Sequence, residues 1–172
     1  MKQKILLFVA LATAIIAFFS CDQSHYLDYN GLQPGNKLPQ FEAKTIEGVT
    51  VNSTKLEIEA AGKPYALLVF KTDCTECELL LTQIARLYEE QQIDIPMYGV
   101  SLGSAPETES FLEKTGLHSL KETLLANAKT VYRLAGDTTP LLAIFNDQGS
   151  VRQCIRRERH SDTDLASIIN GQ

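Results

Sequence analysis

The chain lacks the means for a structural metal site. Its histidines are His25, His118 and His160, and its cysteines are Cys21, Cys74, Cys77 and Cys154. No second Cys-x-x-Cys and no His-x-x-x-His accompanies the one close cysteine pair, so zinc would need Cys154 and scattered histidines to converge. The same scarcity speaks against a small domain held by disulfides, which would carry more cysteines at wider spacings. Positive charge is also short: the formal net charge is −5, which gives no case for nucleic acid. No internal repeat or low-complexity segment is present. Apolar runs of spanning length are missing too. Ile5 to Phe19 is apolar except for Thr13, and these fifteen residues suit a signal segment better than a membrane span.

That N-terminal run is informative. Lys2 and Lys4 precede it, and Phe18-Phe19-Ser20-Cys21 closes it. A basic start, an apolar stretch and a small residue before cysteine resemble a bacterial lipoprotein signal, with cleavage before Cys21 and lipid on Cys21; an uncleaved N-terminal anchor is the alternative. Either way the remainder is expected outside the cytoplasm, in the periplasm or cell envelope, tethered to a membrane. Residues 1–20 are then signal peptide, 21–35 a polar Gly- and Pro-containing tether, and 36–172 one domain with its own core. Removing the first twenty residues takes away two lysines and no acid, so −5 becomes −7. Arg152, Arg156, Arg157, Arg159 and His160 form the one basic cluster, read as a solvated strand end.

Periodicity orders the domain. Phe41 to Asn52 reads as a hairpin around Glu47-Gly48. Ser53 to Gly62 is ambiguous between a short helix and a turn. Tyr65 to Lys71 is a continuous apolar run, as in a strand covered on both faces. Cys77 to Gln92 is helical, with Leu80, Ile84, Leu87 and Tyr88 apolar. Ile95 to Leu102 is a strand, Ser104 caps a helix running to Thr115, and Leu120 to Ala126 is a weak strand or turn. Asn127 caps a helix stopped by Gly136; Leu141 to Phe145 and Ser150 to Arg156 form an antiparallel pair; Ser161 or Asp162 caps the last helix. The expected class is α/β, a three-layer sandwich with a mixed central sheet.

The chemistry sits at Asp73-Cys74-Thr75-Glu76-Cys77-Glu78, between the buried strand and the amphipathic helix. A cysteine at a helix start meets unpaired N–H groups and the positive end of the dipole, and both favour thiolate. A second cysteine one turn on can close a small ring with it. Cys74 is therefore the expected exposed attacking sulfur and Cys77 the buried resolving one. Three carboxylates, Asp73, Glu76 and Glu78, surround them and oppose a thiolate, which predicts a more reducing couple than a neutral dipeptide would give.

In these motifs the chain resembles exported thioredoxin-fold thiol–disulfide oxidoreductases of the TlpA/ResA group, from Leu32 to Ile169. The resemblance is carried by Pro34 to Phe41 (PGNKLPQF), Glu47-Gly48, Gly62-Lys63-Pro64, Cys74-Thr75-Glu76-Cys77, Thr138-Thr139-Pro140-Leu141 and Asn146-Asp147-Gln148-Gly149. It implies a thioredoxin-like sandwich with an N-terminal β-hairpin, a cis Pro140, and Thr139 presenting backbone to a substrate strand. It implies no cofactor and no metal. The implied partners are protein thiols and disulfides, such as the haem-attachment cysteines of an apocytochrome, together with a membrane electron donor. The family commonly has an aromatic residue before the first cysteine; here Asp73 stands there, and the chain has no tryptophan. The acidic residue often found three after the second cysteine is replaced by Leu80, leaving Glu76 and Glu78 as candidates for proton transfer. Two other readings compete: a peroxiredoxin-like thiol peroxidase, whose threonine three before the cysteine is here Lys71, and a non-catalytic thioredoxin-fold binding module. Cys154 reads as a half-buried free thiol or, alternatively, a redox partner for Cys77.

Overall fold

The computed structural model describes residues 31–156 and 159–172. The signal segment, the lipidation candidate Cys21, most of the tether, His25 and Arg157 lie outside the described residues. Seven strands form one mixed sheet: β1 (Glu42–Thr45), β2 (Thr50–Asn52), β3 (Tyr65–Lys71), β4 (Met97–Leu102), β5 (Thr123–Leu125), β6 (Leu141–Phe145) and β7 (Val151–Arg156). Their spatial order is β2-β1-β5-β4-β3-β6-β7. The parallel pairs are β3 with β4 and β4 with β5, while β3/β6, β6/β7, β1/β2 and β1/β5 run antiparallel. Among the described residues five helices cover it: α1 (Thr54–Ala60), α2 (Thr75–Glu89), α3 (Ala105–Thr115), α4 (Ala128–Ala135) and α5 (Asp162–Asn170). This is the expected thioredoxin-like α/β sandwich, with the N-terminal hairpin extending one edge. Among the described residues no helix is long and apolar enough to cross a membrane.

Strand periodicity splits the core in two. Tyr65, Leu67 and Val69 of β3 face α1 and α4, and Ala66, Leu68 and Phe70 face α2, α3 and α5. Six successive residues of β3 are buried, the signature of a strand with helices on both sides. Tyr65 stacks on its cross-strand partner Phe145 at 4.5 Å between ring centroids and meets Tyr98 edge-on at 6.0 Å.

Local signals set the helix ends. Ser104 and Glu107 form a reciprocal capping box at the start of α3, and Gly116 ends it in the left-handed region. Asn127 and Ser161 cap α4 and α5 through their side chains. The ambiguous stretch 53–62 contains α1, and the weak stretch 120–126 contains β5, which joins the hairpin to the central strands. Helix α2 starts at Thr75, earlier than periodicity indicates, because Cys74 acts as its N-cap. Leu81, and not the half-buried Leu80, lies in its fully buried face.

Two departures have physical causes. On β7 the partners jump from Ile144↔Gln153 to Phe145↔Val151, leaving Arg152 as an extra residue. This bulge reverses side-chain parity, so Val151 enters the α1/α4 core while Ile155 enters the α2 core. At the N-terminus, residues grouped with the tether by composition already dock: Leu32 is 3 % exposed and its N–H donates to the Leu134 carbonyl at 2.7 Å. Gly31 makes that approach possible, since a Cβ there would lie 2.6 Å from the Ala135 carbonyl carbon.

Replacing Leu68, fully buried at the sheet centre, with alanine should cost about 2–5 kcal/mol through lost burial and a cavity. Urea unfolding of the oxidised protein measures this; a loss under ~1 kcal/mol would mean the central layer is not close-packed.

Candidate functional site

The buried run of β3 ends at Lys71, and Thr72-Asp73 lead into α2. Cys74 has extended backbone and caps the helix: its Sγ accepts the Cys77 N–H at 3.1 Å. Cys77, one turn on, is fully buried against Leu81 and the α2 core. The two sulfurs form a disulfide with Cα atoms 5.2 Å apart. Exposure differs as expected, with Cys74 half-buried and Cys77 buried.

The second half of the site arrives from the start of β6. Register places Val69 opposite Leu141, so the chain leaving β3 meets the chain entering β6. The Thr139–Pro140 peptide is cis, in agreement with the expectation. Cys74 Sγ lies 3.7 Å from the Thr139 carbonyl oxygen, and the Thr139 hydroxyl points at the same sulfur from 3.9 Å. Thr139 is half-buried and Pro140 buried. Four predicted site residues, Cys74, Cys77, Thr139 and Pro140, thus converge from segments some sixty residues apart.

The acidic candidates are arranged differently. Asp73 and Glu76 are exposed. Glu78 reaches α3, where it accepts from Lys114 at 2.7 Å. Neither Glu76 nor Glu78 hydrogen-bonds a sulfur among the described residues. Lys71 lies over the ring of Tyr132, 5.9 Å from its centroid, so one cation and one half-exposed aromatic of α4 flank the strand end.

Sequence reasoning missed Arg156. Placed in a solvated cluster by composition, it turns inward and donates to the carbonyls of Ala135 and Leu32 and to Thr138 Oγ1. One guanidinium thereby joins the end of α4, the N-terminal segment and the turn leading to Thr139. Arg152 likewise donates to the Ile168 and Ile169 carbonyls in the last turn of α5. No sequence signal marks either role, because the acceptors are backbone atoms brought in by the fold. On the other side, Gln83 donates to Asp162 Oδ1 and to the His160 carbonyl, and Arg86 pairs with Asp162 at 2.6 Å. The Gln83 hydrogen bond, then Arg86, holds the Asp162 carboxyl below its usual range.

Cys154 is separate from this chemistry. It pairs opposite Ala143 and packs with the α1/α4 core, while Cys77 lies in the core on the opposite sheet face. Its thiol donates to the Leu32 carbonyl at 3.3 Å, and burial pushes its pKa up. The arrangement supports the half-buried free thiol and not a partner for Cys77. Among the described residues no cluster of metal-ligating side chains is present.

The AhpC/TSA family model matches residues 34–153, and the chain belongs to that family. No curated protein sequence matches it significantly. A secreted Mycobacterium tuberculosis disulfide oxidoreductase homologous to E. coli DsbE is 16 % identical, with 77 % of this chain and 96 % of that one aligned at a TM-score of 0.62. The thioredoxin domain of a Bacteroides vulgatus thiol-disulfide oxidoreductase is 15 % identical over 81 % and 100 %, with a TM-score of 0.59. A thiol peroxidase from Chromobacterium violaceum is 13 % identical over 82 % and 88 %, with a TM-score of 0.61. At these identities the likeness is one of fold.

Because burial raises the Cys154 pKa, less of it is thiolate at pH 8 than for an open thiol. In the oxidised protein its alkylation by iodoacetamide, followed by peptide mass, should run at least ~5-fold slower than in urea-unfolded protein and accelerate at higher pH. Equal rates folded and unfolded would contradict the buried setting.

Proposed function

We propose that this member of the AhpC/TSA family is a thiol–disulfide oxidoreductase that reduces protein disulfides outside the cytoplasm. The observation that carries the reading is the Cys74–Cys77 pair at the start of α2 with Thr139 against the Cys74 sulfur. In the reduced protein the Cys74 thiolate attacks a substrate sulfur. The substrate disulfide breaks, one half leaves as thiolate, and a mixed disulfide remains. Cys77, as thiolate, then attacks Cys74, releasing the second substrate thiol and closing the protein disulfide. Two electrons pass from the dithiol to the substrate, and the dithiol's two protons account for the two product thiols. The helix N-terminus, the Cys77 N–H and the Thr139 hydroxyl all favour the attacking thiolate. Thr139 backbone offers a substrate strand pairing that needs no particular sequence. Glu76 is the candidate for proton exchange with Cys77, since Glu78 is engaged by Lys114.

The N-terminal signal pattern supports tethering through lipid on Cys21, facing the periplasm or cell envelope. Protein thiols or disulfides, haem-attachment cysteines included, are the substrate class, and a membrane electron donor would restore the dithiol. Reduction is favoured over oxidation because Asp73 and Glu76 lie exposed beside the motif and oppose thiolate. A thiol peroxidase is the second reading, favoured by the family match and by the Chromobacterium violaceum neighbour.

Reduced protein should reduce insulin disulfides, and Cys74→Ser should lose this by at least ~100-fold. Cys77→Ser should accumulate mixed disulfides with its natural partner. Thr139→Val should raise the pH at which Cys74 alkylates in the reduced protein. The potential against glutathione should lie well below the about −120 mV of a strong oxidant. Rapid hydrogen peroxide consumption that depends on Cys74, without insulin reduction, would favour the peroxidase; inertness to all disulfides with both cysteines intact would mark a binding module.

A further inference from the structure

Beside the dithiol runs a groove of about 520 Å³, with α2 on one side and β7 and the approach to α5 on the other. Its walls differ in charge. The α2 wall starts with Glu76 and Glu78 near the sulfurs. The opposite wall carries Arg156, Arg159 and His160. Register connects this wall to the redox centre: Arg156 pairs opposite Leu141, the residue after Pro140, and Pro140 itself lines the groove. Leu79, 51 % exposed, and the buried Ile155 provide apolar contact between the walls.

The charges on the two walls are engaged to different degrees. Lys114 answers Glu78, and Asp162 answers Arg86 further along α2. Arg159 is exposed and makes no ion pair among the described residues. The sequence from 156 to 160 reads Arg-Arg-Glu-Arg-His, three arginines against one glutamate, in a chain whose net charge is −5. An overall acidic molecule thus places Arg156, Arg159 and His160 along a groove that Pro140 also lines. Long-range charge would repel an acidic partner, while this wall attracts an acidic side chain once the target cysteine is seated.

We propose that the groove selects protein substrates by an acidic residue flanking the target cysteine, received by the Arg159 wall. Glu76 on the other wall sets the orientation, since the acidic flank avoids it and turns toward β7. This rests on the oxidoreductase reading and adds a substrate class to it. A peptide suits the site better than a lipid surface, because the basic residues line a concave groove that includes Pro140 and an apolar strip.

The test uses pre-reduced protein in single turnover with three symmetric peptide disulfides, whose cysteines are flanked by Asp, Ser or Lys. Each rate is divided by that of dithiothreitol on the same peptide, which removes intrinsic reactivity. At low salt the Asp peptide should react about three- to tenfold faster than the Lys peptide, the scale of one or two exposed charge pairs. The ratio should fall toward one in about 0.5 M salt. Arg159→Gln should flatten the order and Arg159→Glu should reverse it. Both replace an exposed side chain, and unchanged urea midpoints would show that the fold is intact. Equal normalised rates for the three peptides, or an order unaffected by Arg159→Glu, would overturn the inference while leaving the oxidoreductase reading in place. Reduction of none of them, dithiothreitol controls being active, would overturn both. Arg159-dependent binding to phosphatidylglycerol vesicles without peptide preference would assign the wall to a membrane surface and also overturn it.

Discussion

The antiparallel pairing of β3 with β6 is the constraint on which the site depends. In that register the last residues of β3 and the first of β6 lie at the same end of the sheet, with Val69 opposite Leu141. Cys74 follows the first strand and Thr139-Pro140 precede the second, so the sulfur and the Thr139 carbonyl meet 3.7 Å apart. A parallel pairing would put them at opposite ends. The buried layers on both sheet faces, with six successive buried residues on β3, hold that register, because a one-residue slip would exchange the two cores. The site is thus a consequence of core packing, reached through strand register.

The parts legible in the sequence are those with local causes. Continuous apolar character identified β3; Ser104 with Glu107, Asn127 and Gly136 marked helix ends through backbone groups in their own turns. The cysteine spacing identified the dithiol for the same reason, since helix start and second sulfur lie within one turn. What was not legible has other causes. The N-cap role of Cys74 moved the start of α2, because a cysteine is not a usual capping residue. The bulge at Arg152 reversed the parity of Val151, and nothing in the alternation reports an inserted residue. Leu32 was grouped with a tether by its polar neighbours, although its burial comes from α4 and β7.

The arginines show the same limit most clearly. Charge alone puts Arg152, Arg156, Arg157, Arg159 and His160 in one solvated group. Arg152 closes the last turn of α5, Arg156 joins three segments at the turn before Thr139, and Arg159 stays exposed beside the groove. A guanidinium offers five donors in a planar fork, so one side chain can satisfy several carbonyls at once. Of the three described arginines between positions 152 and 159, two therefore do structural work and the third stays exposed to solvent.

Charge around the sulfurs follows from this division. The dipole end of α2, the Cys77 N–H and the Thr139 hydroxyl favour thiolate at Cys74, whereas Asp73 and Glu76 oppose it. Lys114 removes Glu78 from that opposition by drawing it toward α3. The fixed, oriented donors belong to backbone and core, and the opposing carboxylates stand exposed to solvent, where water and salt weaken their effect. Cys154 lies on the far face of the sheet, hydrogen-bonded and with its thiol form favoured. The sheet itself thus separates the dithiol on one face from a thiol on the other whose protonated form burial favours.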